Sequence, residues 1–342
     1  MSNFASSLRQ PRETTSKYPL MGWNGGRCLG IDPASKTDTH RYFLLQPIHD
    51  LSRTVVGYEA LYRSGWTNEF DGDSDVATRI MIDNWLLFEF ETLTSGHPTC
   101  LNCTREALMS GLLTLLPRSV VFEILEFVEP DDEVLKACKM LKKMGYRFSL
   151  DDFVASDKME GFLEVADFIK IDFRLTGAKE RAELMPRLRR TGATLIAEKI
   201  ETEEEFRLAA WEGFHLFQGF YFHERTSFVM TKDSLNEANC LRILETLNRT
   251  GFATNKLADL IDSEPGIACR LLRRANWTAD PGNPINSIRD ALKLVGKREF
   301  RKLVTLAMFS DIGRWDDLPQ LLAQSGAAGA PKKPSASEPT LQ

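Results

Sequence analysis

The stretch DEVLKACKMLKKMGYRFSLDD, residues 132–152, contains one complete copy of the pattern that decides the fold. Its first half predicts an amphipathic helix, because apolar residues recur at the spacing of one helix face. That apolar stripe consists of Val134, Leu135, Cys138, Leu141 and Met144. Gly145 follows, where a helix end needs a positive φ. The apolar run from Tyr146 then ends in two aspartates, so the second half predicts a buried strand that finishes in acidic residues.

The same order of helix, glycine and apolar run recurs along the chain. Gly192 and Gly213 each stand directly before an apolar run. Thr202 and Glu205 form a capping box, which predicts the start of a helix. The apolar runs are Thr99–Asn102, Ser119–Glu126, Tyr146–Asp152, Asp167–Asp172, Ala193–Lys199 and Phe214–Phe222. Short strands that alternate with helices predict parallel βαβ units.

Two further apolar runs, Arg41–Asp50 and Thr54–Arg63, are separated only by Leu51-Ser52-Arg53. So short a connection suits an antiparallel hairpin better than a parallel crossover. These two strands and the six above make eight. We therefore expect an α/β fold, namely a modified (β/α)8 TIM-like barrel with one antiparallel strand.

The last part of the chain has a different rhythm. From about Met230 onward the apolar residues follow helical spacing, which predicts a small all-α module after the barrel. Four helices are expected, marked by Leu235, Leu241, Leu244 and Leu247; by Leu257, Leu260 and Ile261; by Ile267, Leu271 and Leu272; and by Ile288, Leu292 and Val295. The predicted organisation is a disordered N-terminal arm at 1–40, the barrel at 41–229, the helical module at 230–313 and a disordered tail at 325–342.

Charge and cysteine content bear on the class of protein. The formal net charge of −5 argues against DNA binding, which usually leaves a basic footprint. Cys100 and Cys103 are the only closely spaced cysteines, and no second pair completes a zinc site, so we expect two thiols on a buried strand. The chain has no recognisable signal peptide and no apolar run near about 18 residues, so we expect a cytoplasmic protein with no membrane segment.

Polar side chains stand at the ends of the predicted strands. In parallel barrels these ends meet at one mouth, where active sites form. The residues concerned are Glu59, Asn102, Glu123, Asp151, Asp152, Lys170, Glu198 and Gln218. Converging carboxylates repel one another unless cations neutralise them, and oxygen ligands favour Mg²⁺ or Mn²⁺. Asp151 and Asp152 could bridge two ions about 3.5–4 Å apart, the spacing of two-metal phosphoryl chemistry.

Each of these residues also has a simpler interpretation. A single acid at a strand end is usually a surface charge or a helix N-cap. Asn102 could be a turn former, Lys170 could extend to solvent, and Gln218 could be a loop contact. Seven strand ends that all carry metal-competent or phosphate-competent side chains favour a shared site.

The ordered motifs resemble the EAL domain, the family of cyclic di-GMP phosphodiesterases and their inactive receptor relatives. The family's name motif stands at Glu59-Ala60-Leu61 in GYEALYR, and QPI precedes it at Gln46–Ile48. The resemblance covers about Tyr42 to Phe222 and implies a site that binds cyclic di-GMP with two divalent cations.

The resemblance also implies roles for individual residues. It assigns metal binding to Glu59, Asn102, Glu123, Asp151 and Asp152. Lys170 would orient the attacking water, and Glu198 would act beside the metals with support from Glu201. Gln46, Arg63 and Gln218 would contact the substrate, Arg63 through phosphate.

The loop after Asp152 departs from the family pattern. The family has glycines there, whereas this chain continues Phe153-Val154-Ala155-Ser156-Asp157-Lys158. Because this loop couples dimerisation to metal binding in the family, its change affects turnover more than ligand binding. The leading hypothesis is a phosphodiesterase that hydrolyses cyclic di-GMP to linear pGpG. The alternatives are a non-catalytic cyclic di-GMP receptor, an unrelated metal-dependent barrel enzyme and a scaffold.

The helical module resembles an HDOD domain, through SEPGIACRLLRRAN at residues 263–276 and INSIRDALKLVG at residues 285–296. No histidine follows His223, so the module cannot supply the His-Asp metal site of an HD hydrolase. We expect it to form a homodimer or to bind a signalling-protein partner. A helical cap without a ligand is an equally good interpretation.

Overall fold

The computed structural model describes residues 40–64, 72–154, 159–222, 226–231, 235–249, 254–280 and 282–312. The predicted disordered arm, apart from His40, and the predicted disordered tail lie outside these residues. Part of the altered loop, residues 155–158, also lies outside them.

The described residues form nine strands and ten helices, besides short 3-10 turns. The strands are β1 His40–Asp50, β2 Val55–Arg63, β3 Thr99–Cys103, β4 Val120–Ile124, β5 Arg147–Leu150, β6 Phe168–Asp172, β7 Thr194–Glu198, β8 Leu216–Phe217 and β9 Thr226–Thr231. The helices are α1 Ser74–Leu87, α2 Phe90–Leu93, α3 Arg105–Ser110, α4 Asp132–Lys143, α5 Ala178–Thr191, α6 Glu203–Glu212, α7 Glu237–Asn248, α8 Thr254–Asp262, α9 Pro265–Asn276 and α10 Ile288–Ile312.

Strands β1 to β8 close into a barrel. Strands β2 to β8 pair in sequence order and run parallel to one another, while β1 lies antiparallel between β8 and β2. The β1–β2 connection is a tight hairpin in which Asp50 N donates to the Thr54 carbonyl over 2.9 Å. The predicted barrel with one reversed strand is therefore confirmed.

Strand β9 was not predicted from the sequence. It pairs antiparallel with the first half of β1, from His40↔Thr231 to Leu45↔Thr226. Strand β8 has only two residues and pairs with β1 at His49 and Asp50, so β9 covers the part of the β1 edge that β8 leaves free. The predicted boundary between residues 229 and 230 falls inside this strand.

The helix signals that we identified in the sequence act as expected, with one exception. Thr202 caps α6, as predicted, by accepting from Glu205 N. The Asp131 side chain, which was not predicted as a cap, caps α4 by accepting from Val134 N. Gly145, predicted to adopt a positive φ, has φ +91°. The prediction that Met144 belongs to the buried stripe of α4 is wrong: it caps the helix end and is 40% exposed.

The lower half of the barrel interior is a small apolar plug. Its side chains come from alternate positions of the strands, as the pleat requires. They belong to Ile48, Cys100, Val121 and Ile196, with Phe168 and Leu216 packed against them. The plug separates the polar mouth of the barrel from its opposite end.

The two cysteines of β3 do not form a site together. Cys100 lies in the interior plug, whereas Cys103 lies in the larger core outside the barrel. Burial raises the pKa of both thiols well above the ordinary value. Both are free and buried, which confirms the prediction of two structural thiols.

The helical module consists of α7 to α10. The four predicted helices are all present, and α10 is interrupted at Gly296, where φ is +79° and ψ is 157°. Helices α9 and α10 pack on α1 of the barrel. Among the described residues, no helix combines the length and apolar character needed to cross a bilayer.

Candidate functional site

A layer of polar side chains lies above the apolar plug, towards the carboxyl ends of the parallel strands. Paired residues on neighbouring strands point to the same side of a sheet. Gln46 is paired with Glu59, and Asn102 with Glu123. The strand register therefore directs these four side chains into the barrel, although they are far apart in sequence.

Lys170 is the centre of this layer. Its Nζ lies 2.6 Å from Glu123 Oε1, 2.7 Å from Glu198 Oε1 and 3.2 Å from Glu59 Oε2. Asp151 Oδ1 is 3.5 Å away. Only 1% of the Lys170 side chain is exposed, so one ammonium group holds four carboxylates together away from bulk water.

Burial and mutual repulsion change the acidity of these groups. Burial raises the pKa of Glu123 well above its usual range, against the opposing effect of Lys170. Burial likewise raises the pKa of Glu198 to about 8. For Lys170 burial acts in the opposite direction, but the charges of Glu123 and its neighbouring carboxylates prevail and raise the pKa well above the ordinary value. Burial and the neighbouring carboxylates therefore favour the protonated form of Glu123 and Glu198, and a cation beside them would favour the charged form.

The arrangement fits divalent cations. One oxygen each of Asp151, Asp152 and Glu198 lie within 4.8 Å of one another. Within the described part of the chain, several buried oxygens around this group accept no hydrogen bond: Asn102 Oδ1, Glu123 Oε2, Asp152 Oδ1 and Gln218 Oε1. Buried polar atoms are normally satisfied. Unpaired oxygens beside a carboxylate cluster are suitable ligands for Mg²⁺ or Mn²⁺.

The backbone at the mouth is strained at two residues other than glycine. Asp152 has φ +40° and Lys199 has φ +57°. Residues with a side chain rarely adopt this left-handed backbone conformation, and the exceptions are concentrated at functional sites. The strain explains how adjacent residues Asp151 and Asp152 both reach the site: β5 ends at Leu150, so the alternation of the strand no longer applies.

Two charged residues of the mouth, Asp172 and Lys199, were not predicted from the sequence. Asp172 is buried at the end of β6 and forms an ion pair with Lys199. Lys199 Nζ also lies 3.9 Å from Asp152 Oδ2. Asp172 stands two residues after Lys170 and therefore on the same strand face, a signal that could have found it.

Gln218 is held by the backbone around Gly219. The side-chain Nε2 of Gln218 donates to Glu59 Oε2 over 2.6 Å, and the backbone carbonyl of Gln218 accepts from Ile200 N. A Cβ on Gly219, where φ is +157°, would collide with the backbone of Ile200. This close approach explains why glycine follows Gln218.

A cavity of about 160 Å³ opens beside the cluster. Arg63, at the end of β2, and Asn102, on β3, both line it, and α1 forms its outer wall with Ser74, Ala77, Thr78 and Met81. The cavity is therefore lined both by a cationic side chain, Arg63, and by one amide of the polar layer, Asn102.

Ten of the predicted site residues are brought to the same mouth of the barrel, whereas Glu201, predicted to support Glu198, is exposed and forms an ion pair with Arg174. The Lys170 contacts join Glu59, Glu123, Asp151 and Glu198, and Gln218 is added through Glu59. Asp152 is joined through its proximity to Asp151 and Glu198. Gln46 and Asn102 are placed by register, and Arg63 by the cavity. In the described part of the helical module, no group of three His, Cys, Asp or Glu side chains could hold a metal ion.

The barrel with its reversed first strand, the acidic mouth and the attached helical module define one class of protein. The EAL domain family model matches residues 89–225, and the HDOD domain family model matches residues 237–326. This chain belongs to the family of proteins in which an EAL domain is followed by an HDOD domain.

Individual relatives share both parts. The uncharacterized protein YuxH of Bacillus subtilis is 31% identical over 279 residues, which cover 79% of this chain and 68% of YuxH. The cyclic di-GMP phosphodiesterase CdgJ of Vibrio cholerae is 30% identical over 287 residues, which cover 82% of this chain and 66% of CdgJ. The crystal structure of an EAL domain protein from Listeria monocytogenes matches with a TM-score of 0.46 and 19% identity, covering 55% of this chain and 89% of that one.

Proposed function

We propose that this protein is a metal-dependent phosphodiesterase that hydrolyses cyclic di-GMP to linear pGpG. The observation that carries the proposal is the buried carboxylate layer around Lys170, with unpaired oxygens facing the barrel mouth. The family of the chain and the activity in the name of its relative CdgJ support the same substrate.

The proposed metal ligands are Glu59, Asn102, Glu123, Asp151 and Asp152. Two bound Mg²⁺ or Mn²⁺ ions would make water more acidic and neutralise the negative charge of the phosphodiester. Lys170 holds this acidic layer together and keeps the ligand oxygens close to one another. Preorganised ligands reduce the reorganisation that cation binding requires.

The remaining residues act on substrate and water. Arg63 lines the cavity and binds a phosphate of the dinucleotide, for which a guanidinium group is well suited. Gln46 and Gln218 supply amide groups for hydrogen bonds. Lys170 orients the attacking water, and Glu198, which contacts Lys170 Nζ, accepts the proton of that water.

Product analysis tests this proposal directly. The purified protein is incubated with cyclic di-GMP and Mg²⁺ or Mn²⁺, and the nucleotides are separated by chromatography. We expect linear pGpG, and we expect it to disappear in the Glu59→Gln variant, which has the same side-chain size but lacks the charged ligand. A parent protein that forms no pGpG, or a variant as active as the parent, would contradict hydrolysis at this site.

A second candidate function is a receptor that binds cyclic di-GMP without hydrolysing it. It is favoured by the loop after Asp152, which lacks the glycines that the family has there. Calorimetry distinguishes the two candidates: binding of cyclic di-GMP with intact nucleotide after long incubation would identify a receptor.

A further inference from the structure

Helix α1 is buried on both sides. Every residue from 77 to 87 is buried, whereas the outer helices of a barrel ordinarily leave one face in water. One side of α1 packs on β2 and β3, and the other side packs on α9 and α10. The helix is thus shared between the barrel and the helical module.

A buried ion pair joins α1 to the module. Arg270 Nε donates to Asp83 Oδ1 over 2.7 Å, and Arg270 Nη2 donates to Asp83 Oδ2 over 2.8 Å. Neither side chain is more than 1% exposed. Arg41 of β1 lies 3.8 Å from Asp83 Oδ2 and donates to the Ser310 carbonyl of α10 over 2.6 Å. Three separate elements therefore meet at Asp83.

Such a pair contributes more to geometry than to stability. Removing two charges from water is costly, and apolar residues of similar volume often stabilise as much. A two-bonded arginine–carboxylate contact, however, allows only one relative orientation of its partners. The pair therefore fixes the position of α1 against the helical module.

The opposite face of α1 forms the wall of the ligand cavity. Thr78 Oγ1 donates to the backbone carbonyl of Asn102 over 2.9 Å. Ala77, Thr78 and Met81 line the cavity together with Arg63. Met81 is two residues from Asp83, so a shift of the helix at the ion pair would move the cavity wall.

We propose that the helical module positions the ligand cavity through α1, with Asp83 and Arg270 as positioning residues. This inference rests on the proposed function, because it takes a phosphate of cyclic di-GMP as the group that binds beside Arg63 at this cavity. Coupling between two sites is reciprocal, so ligand bound in the cavity tightens the contact between α1 and α9.

Hydrogen exchange of the unaltered full-length chain tests this coupling. Exchange is compared with and without cyclic di-GMP in Ca²⁺, with chromatography to verify that the nucleotide stays intact. We expect slower exchange in α1 and also in α9, which does not contact the cavity. The outer helix α5 serves as the internal control and should remain unchanged.

Two outcomes would overturn the inference in different ways. Protection of α1 without any change in α9 would mean that the ligand binds but that the module is not coupled to it. Unchanged exchange everywhere, with no binding by calorimetry, would refute the proposed function and this inference together.

Matched variants separate positioning from general stability. Asp83→Asn keeps the side-chain size and removes the charge at the α1 ion pair. Glu212→Gln makes the same change at a second buried, two-bonded pair, in which Arg181 donates to Glu212 between α5 and α6, away from α1. We expect the Kd for cyclic di-GMP to rise roughly tenfold in Asp83→Asn and to stay unchanged in Glu212→Gln, even if both variants melt at lower temperature.

Steady-state kinetics test the positioning role further, because a purely structural role of Asp83 would not change KM and kcat differently. In Asp83→Asn we expect KM to rise while kcat changes little, because the carboxylate layer is untouched. If Asp83→Asn does not fold, Arg270→Lys keeps the charge with fewer hydrogen bonds and should give an intermediate rise in Kd. An unchanged Kd in the folded variant would overturn the inference.

Discussion

Lys170 is the residue on which the acidic mouth depends when no cation is bound. Its ammonium group is the only cationic atom that the described residues place within 3.5 Å of Glu59, Glu123 and Glu198. A buried charge that loses its partner remains costly because water cannot reach it. The acidic residues of the site are therefore stabilised by a group that is itself part of the site.

Replacing Lys170 should destabilise the protein strongly. For Lys170→Met we expect a loss of about 3–5 kcal/mol in the free energy of unfolding, since the four carboxyl groups of the layer lose the buried ammonium group that they contact. Urea denaturation measures the change. Lys142→Met is the control, because the ion pair of Lys142 with Asp167 is about one-third exposed and is expected to contribute at most about 1 kcal/mol. Equal losses in both variants would contradict this prediction.

Cation binding should depend on pH. The pKa of Glu198 is raised to about 8 and that of Asp152 to about 6. Both groups therefore keep their protons up to a higher pH than an ordinary carboxyl group does. A cation must displace those protons, so its apparent affinity should rise from pH 6 to about pH 8 and then level off. Calorimetry in two buffers with different ionisation enthalpies counts the protons released.

The Glu198→Gln variant is the control for this titration. It should release fewer protons around pH 7 because the group with the higher pKa is gone. Proton release that stays constant between pH 6 and 8, or that is unaltered by the substitution, would show that these carboxylates are already ionised before the cation binds.

At the scale of single elements, the short segment around β8 has the tightest constraints. Gly219 brings the chain against Ile200, and this contact sets the position of Gln218 over Glu59. The polar layer therefore depends on a backbone contact as much as on side chains.

Gly219→Ala should disturb both stability and the site. The left-handed conformation costs roughly 1–2 kcal/mol for a residue with a side chain, and the steric conflict with Ile200 adds about 1–3 kcal/mol. Gly192→Ala is the matched control, because Gly192 also has a positive φ, of +76°, but has open space around it. Thermal denaturation should show a clearly larger loss at Gly219; equal losses would mean that the contact with Ile200 relaxes without cost.

Most elements could be predicted because their signals are local. The stripe of α4, the cap at Thr202 and the glycines before the strands depend on neighbouring residues, and apart from Met144 they act as expected. Strand β9 could not be predicted, because its partner is the first half of β1, almost 190 residues away along the chain. Lys199 was missed for a similar reason: its partner Asp172 lies on the neighbouring strand.

The strand-end pattern predicted eight of the site residues as neighbours, and the resemblance added Gln46 and Arg63, but neither predicted the contacts among them. Strand ends meet at one mouth in any parallel barrel, so co-location follows from the pattern. That Lys170 bonds four carboxylates depends on register and side-chain reach, which no local signal contains. The assignment of metal ligands, catalytic residues and substrate contacts remains a prediction, as do the homodimer, a signalling-protein partner and the cytoplasmic location.

At the scale of the whole molecule, the barrel and the helical module share α1 and the Asp83–Arg270 pair. Lys302 of α10 adds a further contact by donating to the Gly111 carbonyl over 3.0 Å. An interface with buried ion pairs and a helix buried on both sides resembles a common core more than a junction between independent domains.

The two parts should therefore unfold as one unit. We expect a single calorimetric transition whose van't Hoff and calorimetric enthalpies agree. Asp83→Asn, which weakens the junction, should broaden or split that transition, whereas Glu212→Gln should only shift it. Two separate transitions in the unaltered chain would show that the module and the barrel are energetically independent.

The position of β9 has a practical consequence for dividing the chain. The EAL domain match ends at residue 225, directly before β9, which begins at Thr226. A fragment cut there would leave the backbone of His40–Leu45 with unpaired amide and carbonyl groups along one side. An exposed strand edge of this kind can pair with the strand of another chain. Such a fragment is expected to self-associate, whereas a fragment extended through Thr231 is expected not to self-associate through this edge.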